Sequence, residues 1–203
     1  MDQIEKIFAL MEPLAQERFE RSQGLIEEYC EKFVDEIAVE INSAFKSAFR
    51  QTANLQKETE KSASQFLMMS HLYSSIRTGG YSVKIDIFDK HFYADPFEID
   101  AYLKLDWLYG FFADDMNCFK KAISKYIPRI REFELEQISY RYIYYYHAVA
   151  LKLISENIPS LLHMPEFLVM EVEQEFEVLF GGYMDKAVVV WPIAEGMNEV
   201  FFA

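Results

Sequence analysis

The residues with chemical capacity are few and scattered. Four histidines, His71, His91, His147 and His163, would anchor most hydrolytic or metal-dependent chemistry. None has a glutamate three residues before it, as the metal sites of helical bundles require, and no His-Glu-x-x-His run occurs. His163 has Glu166 three residues later, but prolines crowd that stretch and one such pair does not make a metal site. There is no Gly-x-Ser-x-Gly elbow for a nucleophilic serine. Cys30 and Cys118 lie among apolar and acidic neighbours, which raise a thiol pKa instead of activating it. Gly79-Gly80 and Gly181-Gly182 lack the Lys-Ser/Thr, or the third spaced glycine, of a phosphate-cradling loop. No catalytic residue, metal or cofactor is expected.

Two groups remain as candidate sites. Tyr140, Arg141, Tyr144 and His147 share one tyrosine-rich stretch and could line a pocket with a titrating imidazole and a cation for an anionic ligand. The plainer reading of His147 is a core histidine whose nitrogens find a tyrosine hydroxyl or a carbonyl. Glu171, Glu173, Glu175 and Glu177 alternate with Val172, Gln174, Phe176 and Val178. On a strand they form an acidic ladder that could dock a basic peptide, or simply the wet face of a half-buried sheet. The pair Asp114-Asp115 reads as a helix start and not as a magnesium site.

The tyrosine-rich stretch needs a helix to organise it. From Tyr140 to Ile154 three apolar rows follow helical spacing and leave only Arg141, Ala148 and Lys152 for a polar stripe. Such a helix, over about 129–157, has to be surrounded, so it is expected as the central post. Asp2 with Glu5 fits a capping box for a short first helix, which Pro13 interrupts. Ile26, Cys30, Phe33, Ile37, Ile41, Ala44 and Ala48 then mark one long helix with acidic residues on its other sides. That seam suits a homodimer, and suits burial against the central helix better. Residues 51–65 are nearly devoid of apolar side chains and read as an exposed helical extension or a mobile connection. Phe66, Leu67, Met69, Tyr73 and Ile76 suggest a short helix closed by Gly79.

The period changes next. Val83, Ile85 and Ile87 alternate with Lys84, Asp86 and Phe88, and a turn at Asp89-Lys90 predicts a hairpin over about 82–94. Asp95-Pro96-Phe97-Glu98 carries a helix-start signature for a helix through Tyr102 and Leu105, and Pro128 is placed to open the helix that becomes the post. Residues 170–180 fit either a strand or a helix, the strand being preferred from Val172; with Ala187 to Trp191 this gives a second hairpin over about 172–192. The expectation is one α+β domain over residues 1–203, predominantly helical, with helices around a central aromatic-rich helix and a small antiparallel sheet from the two hairpins.

Composition bounds the function. With 203 residues, 51% hydrophobic and 16% aromatic, the chain can fill a real core. Its net charge of −13 makes nucleic acid and anionic membrane poor partners and a basic protein a good one. Two distant cysteines, and a start without a secretory pattern, suggest a cytoplasmic protein with reduced thiols. The function expected is a non-enzymatic interaction module, such as an adaptor, inhibitor or immunity-type protein, that meets a basic partner through its acidic helix face or its glutamate row. The alternative is a small-molecule-binding protein or enzyme with a Tyr/His-lined pocket.

Overall fold

Strand β1, Ser64–His71, organises the fold in a computed structural model that describes residues 3–127 and 129–192. Before it come α1 (Gln3–Lys32) and α2 (Val34–Glu58). After it the chain forms a single turn α3 (Ser75–Thr78), β2 (Ser82–Phe88), a 3-10 turn (Phe92–Ala94), β3 (Tyr102–Lys104) and α4 (Asp106–Ile123). Then follow α5 (Glu132–Ser155), the single turns α6 (Ile158–Leu161) and α7 (Pro165–Leu168), β4 (Val172–Gly182) and β5 (Ala187–Trp191). The strands form one sheet in the order β3-β2-β1-β4-β5. The architecture is α+β and predominantly helical, as expected.

The sheet departs from the expectation in two ways. It is mixed and not antiparallel, because β1 runs parallel to β4 while its other neighbour, β2, is antiparallel. The segment around Phe66 to Met69, read as a helix, is the strand between them. A strand covered on both faces loses polar alternation and becomes a continuous apolar run, which periodicity cannot separate from a buried helix. Of the two predicted hairpins, β4-β5 forms and 82–94 does not. Phe92 takes φ 55°, a left-handed conformation that turns the chain away, and its ring packs on Phe66, Phe88 and Tyr93.

The helix predicted at Asp95 is an extended connection leading into β3. Asp95 does cap, accepting from the Phe97 N–H at 2.9 Å, but the same carboxylate also accepts from the Asp89 N–H and pairs with Lys61 Nζ at 2.5 Å, both side chains fully buried. Pairing of the following residues with β2 overrides the local helix signal. At the N-terminal end the two predicted helices merge through Pro13 into α1. Pro13 and Ala9 are exposed, so water can satisfy the carbonyl the proline leaves free. The chain breaks instead at Phe33 (φ −119°, ψ 30°), inside the seam. Ile26, Ile37, Ile41 and Ala48 are buried in the protein's own core, with Cys30, Phe33 and Ala44 packed against it. Asp2 and Pro128 lie outside the described residues.

The segment 51–65, expected to be exposed or mobile, continues α2 to Glu58 with Thr52 and Ala53 buried. Its glutamines do structural work on the backbone. Gln51 exchanges two hydrogen bonds with the N–H and C=O of Asp100, and Gln56 does the same with Glu171. Each amide thereby stands in for a neighbouring strand at the entrance to β3 or β4.

α5 is less surrounded than its sequence suggests. Tyr142, Ile143, Tyr146, His147, Ala150 and Ile154 are buried, but Tyr144 and Tyr145 are 52% and 42% exposed. The rings carry hydroxyls that reach water, so a tyrosine row need not be covered as a leucine row must. The buried face meets Asp115, which is fully buried inside α4 and does not begin a helix there. Asp115 accepts from Arg18 Nε (2.5 Å), from Ser22 Oγ on both oxygens (2.8 and 2.9 Å), and from the hydroxyls of Tyr142 and Tyr146 (2.6 Å each). Burial, and then this carboxylate, push both phenol pKa values up, so the tyrosines remain donors. Asp115→Ala leaves four oriented donors without their acceptor and should destabilise the protein by about 3–5 kcal/mol; Tyr142→Phe, which removes one bond, should cost about 1 kcal/mol. Urea unfolding of both variants measures the contrast, and equal losses would show that the carboxylate is not the shared anchor.

Candidate functional site

Among the described residues, three places bring chemically capable side chains together. The first is at the C-terminal end of β1, where the His71 ring stacks on His147 of α5 with centroids 3.9 Å apart and planes 25° from parallel. Tyr109 of α4 lies 2.6 Å from His147 Nδ1. Tyr73 closes the outer side, its hydroxyl donating to Asp185 Oδ2 at 2.7 Å and meeting the Tyr144 hydroxyl at 3.2 Å. Gly182 allows this crowding, since a Cβ there would sit 3.3 Å from the Tyr73 ring and 3.5 Å from His71 Nε2. Both nitrogens of His71 are buried without a hydrogen-bond partner among the described residues.

Burial lowers the His71 pKa to about 4, against a smaller opposing pull from Asp185. Burial, and then the neighbouring His71, push His147 down as well. Tyr109 is pushed up, by burial first and by Tyr81 second. The protonated phenol and the neutral imidazole share one hydrogen bond at Nδ1 of His147, whose direction is set by which ring nitrogen carries the proton. The lone pairs of the two stacked rings lie in nearly parallel planes and cannot converge on one ion. Among the described residues no group of three or more His, Cys, Asp or Glu side chains could hold a metal.

The second place lies around α5 from the first. Arg141 stacks on Phe8 of α1, its guanidinium carbon 3.6 Å from the ring centroid, at the mouth of a cavity of about 230 Å³ between the two helices. The pocket predicted from Tyr140, Arg141, Tyr144 and His147 is therefore split. His147 and Tyr144 face β1, Tyr140 packs beside them on the Tyr73 ring while its hydroxyl donates to Glu136 one turn back, and Arg141 turns away onto α1.

The third place is a groove of about 650 Å³ between α2 and β3, the edge strand of the sheet. Glu36, Val39, Glu40 and Ser43 line one wall, and Asp100, Tyr102 and Lys104 the other. Val39 is 68% and Tyr102 42% exposed. Burial, and then Asp106, raise the Glu40 pKa, with Lys104 opposing. The bonds Ile85 N–H to Ala101 O and Leu105 N–H to Tyr81 O flank β3 on its β2 side. By the alternation of an antiparallel ladder, Ala101, Leu103 and Leu105 turn their backbone groups inward, while Asp100, Tyr102 and Lys104 turn theirs outward. Gln51 occupies the Asp100 rung; among the described residues nothing occupies the next two.

The predicted glutamate row stays outside all three. Glu173 and Glu175 are exposed on β4 and Glu177 is half-buried, in a stretch where β4 bulges away from β1 between its pairings with Ser64 and Phe66. Glu171 precedes the strand, exposed, with its backbone held by Gln56. Neither cysteine is in a disulfide, and burial raises the Cys30 thiol, followed by Glu156 and Glu27. No helix among the described residues is long and apolar enough to cross a membrane. Comparison with protein-family models, with curated proteins and with solved structures returns no match to this chain.

Sequence reasoning missed His71, Tyr73, Asp185, Gln51 and Tyr102. One signal was available for His71: in strand register it follows Leu67 and Met69 on the buried face. The stacked pair has a consequence for stability. Both imidazoles are neutral in the folded protein at pH 7, and in the unfolded chain they take up protons near pH 6.5. Between about 6.5 and 4 the unfolded state binds more protons, so stability falls as pH is lowered, by up to about 1.4 kcal/mol per pH unit for each histidine. Urea titrations across this window should show that slope, and His71→Gln should reduce it; an unchanged slope in the variant would assign the loss to other groups.

Proposed function

We propose that this chain is a non-enzymatic protein-interaction module that receives a basic, extended segment of a partner along the outer edge of β3. The observation that carries the reading is the pair of open backbone rungs at Tyr102 and Lys104, continuing the rung that Gln51 already fills. A guest strand would bond to those groups and lie against α2, the arrangement by which extended peptides add to sheet edges. Charge selects the guest. Glu36, Glu40 and Asp100 line the groove against the single cation Lys104, and the whole chain carries a net charge of −13. A second copy of this acidic chain is a poor occupant, and a Lys- or Arg-rich strand a good one.

This reading keeps the expected class of adaptor, inhibitor or immunity-type protein. It rests on the acidic helix face, through Glu36 and Glu40, and not on the row Glu171, Glu173, Glu175 and Glu177. The unpaired thiols suit a reducing compartment such as the cytoplasm. The test uses a labelled peptide of eight residues alternating Lys or Arg with Val or Thr, followed by fluorescence anisotropy with the intact chain. Binding should weaken at least tenfold when Glu36→Lys and Glu40→Lys are combined, and should fall as salt is raised. A peptide with prolines at the positions whose N–H would face β3 should not bind. Equal affinity for the proline peptide, or indifference to the charge reversals, would remove the proposal. Sedimentation showing a dimer that Tyr102→Pro dissolves would assign the edge to a second copy.

A further inference from the structure

The cavity between α1 and α5 shares no lining residue with the groove. At about 230 Å³ it exceeds the roughly 150 Å³ of an apolar cavity known to hold benzene. Phe8, Met11, Ala15, Ile138 and Tyr142 make its walls apolar, and the Tyr142 hydroxyl is turned away to Asp115. Polar recognition is concentrated at the mouth. Arg141 lies flat on Phe8 and has no carboxylate within ion-pair distance among the described residues. Its own helix supplies none, because the positions one turn away are Gln137, Ile138, Tyr144 and Tyr145. In a chain with 33 acidic and 20 basic residues, a guanidinium that makes no ion pair among the described residues, with Glu12 on the same rim, is informative. Stacking fixes the plane of the guanidinium and leaves its edge free for two parallel N–H···O bonds, the geometry that suits a carboxylate. Glu12, exposed at the same mouth, disfavours any anion there and weighs most against one that carries more than one charge.

We infer that this cavity is a binding site for a small apolar monocarboxylate, its hydrocarbon or aryl part enclosed between α1 and α5 and its carboxylate held by Arg141. The site is independent of the partner groove, so either can fail without the other.

Octanoate and 3-phenylpropionate are the probes, titrated calorimetrically into the intact chain beside octylamine and octanol. Saturable binding of the two carboxylates is expected, at least tenfold tighter than the amine or the alcohol. Arg141→Gln should weaken it about tenfold or more, and Arg141→Lys, which keeps the charge and loses the paired geometry, should fall between the two. Ala15→Leu fills the cavity and should abolish binding with Arg141 still present, while circular dichroism checks that each variant is folded. No saturable binding of either carboxylate, amine binding as tight as carboxylate binding, or binding that survives Ala15→Leu in a folded protein would each overturn the assignment.

Discussion

A carboxylate shut away from water must be satisfied by the protein, and Asp115 is satisfied by four side chains from two helices. Arg18 and Ser22 commit α1 to α4, and Tyr142 and Tyr146 commit α5 to both. The two tyrosines stand four residues apart, so anchoring them fixes the rotation of α5 about its axis. Each residue turns the helix by about 100°. His147, one position past Tyr146, is thereby turned onto His71 of β1, and Arg141, one position before Tyr142, is turned onto Phe8 of α1. One buried acid thus decides which residues of the tyrosine-rich helix meet and which are kept apart.

The sheet is held by a comparable economy of polar groups. Its central strand joins a parallel partner from the far end of the chain, and the entrances to β3 and β4 are each clasped by a glutamine of α2. The loop between β2 and β3 is tied down by Asp95, whose oxygens serve Lys61 and two backbone N–H groups. Among the described residues, five buried side-chain atoms have no hydrogen-bond partner: four on Ser70 and His71 of β1 and Asp86 of β2, and Trp107 Nε1 at the start of α4.

Charge follows the same division. Several cations are spent inside, Arg18 on Asp115, Lys61 on Asp95 and Lys84 on Asp86. The excess of acid is left to the surface, and the α2/β3 groove is one place where it gathers beside unpaired strand backbone. Arg141 is the reverse case, a cation with an aromatic neighbour and no ion pair among the described residues.

The apolar spacing of α2 and the helical register of α5 were legible in the sequence because each meets a different environment on its two sides and carries that difference as a period, while β2 and the β4-β5 hairpin were legible through the alternation and β-branched residues of their sequence. β1 was illegible for the opposite reason: with both faces covered it has no period to read. The signal at Asp95 was read correctly as chemistry and wrongly as structure, since an aspartate caps an isolated turn as readily as a helix. The polar run around Gln51 and Gln56 looked solvent-facing because composition does not distinguish an amide that bonds to water from one that bonds to backbone. By itself, then, the sequence determined an acidic, predominantly helical α+β protein and the course of α5, through local periodicity and net charge. The partner of His71, the separation of Arg141 from His147 and the open rungs of β3 were decided only by tertiary structure. They depend on residues far apart in the chain being brought to one place, and no local pattern encodes that meeting.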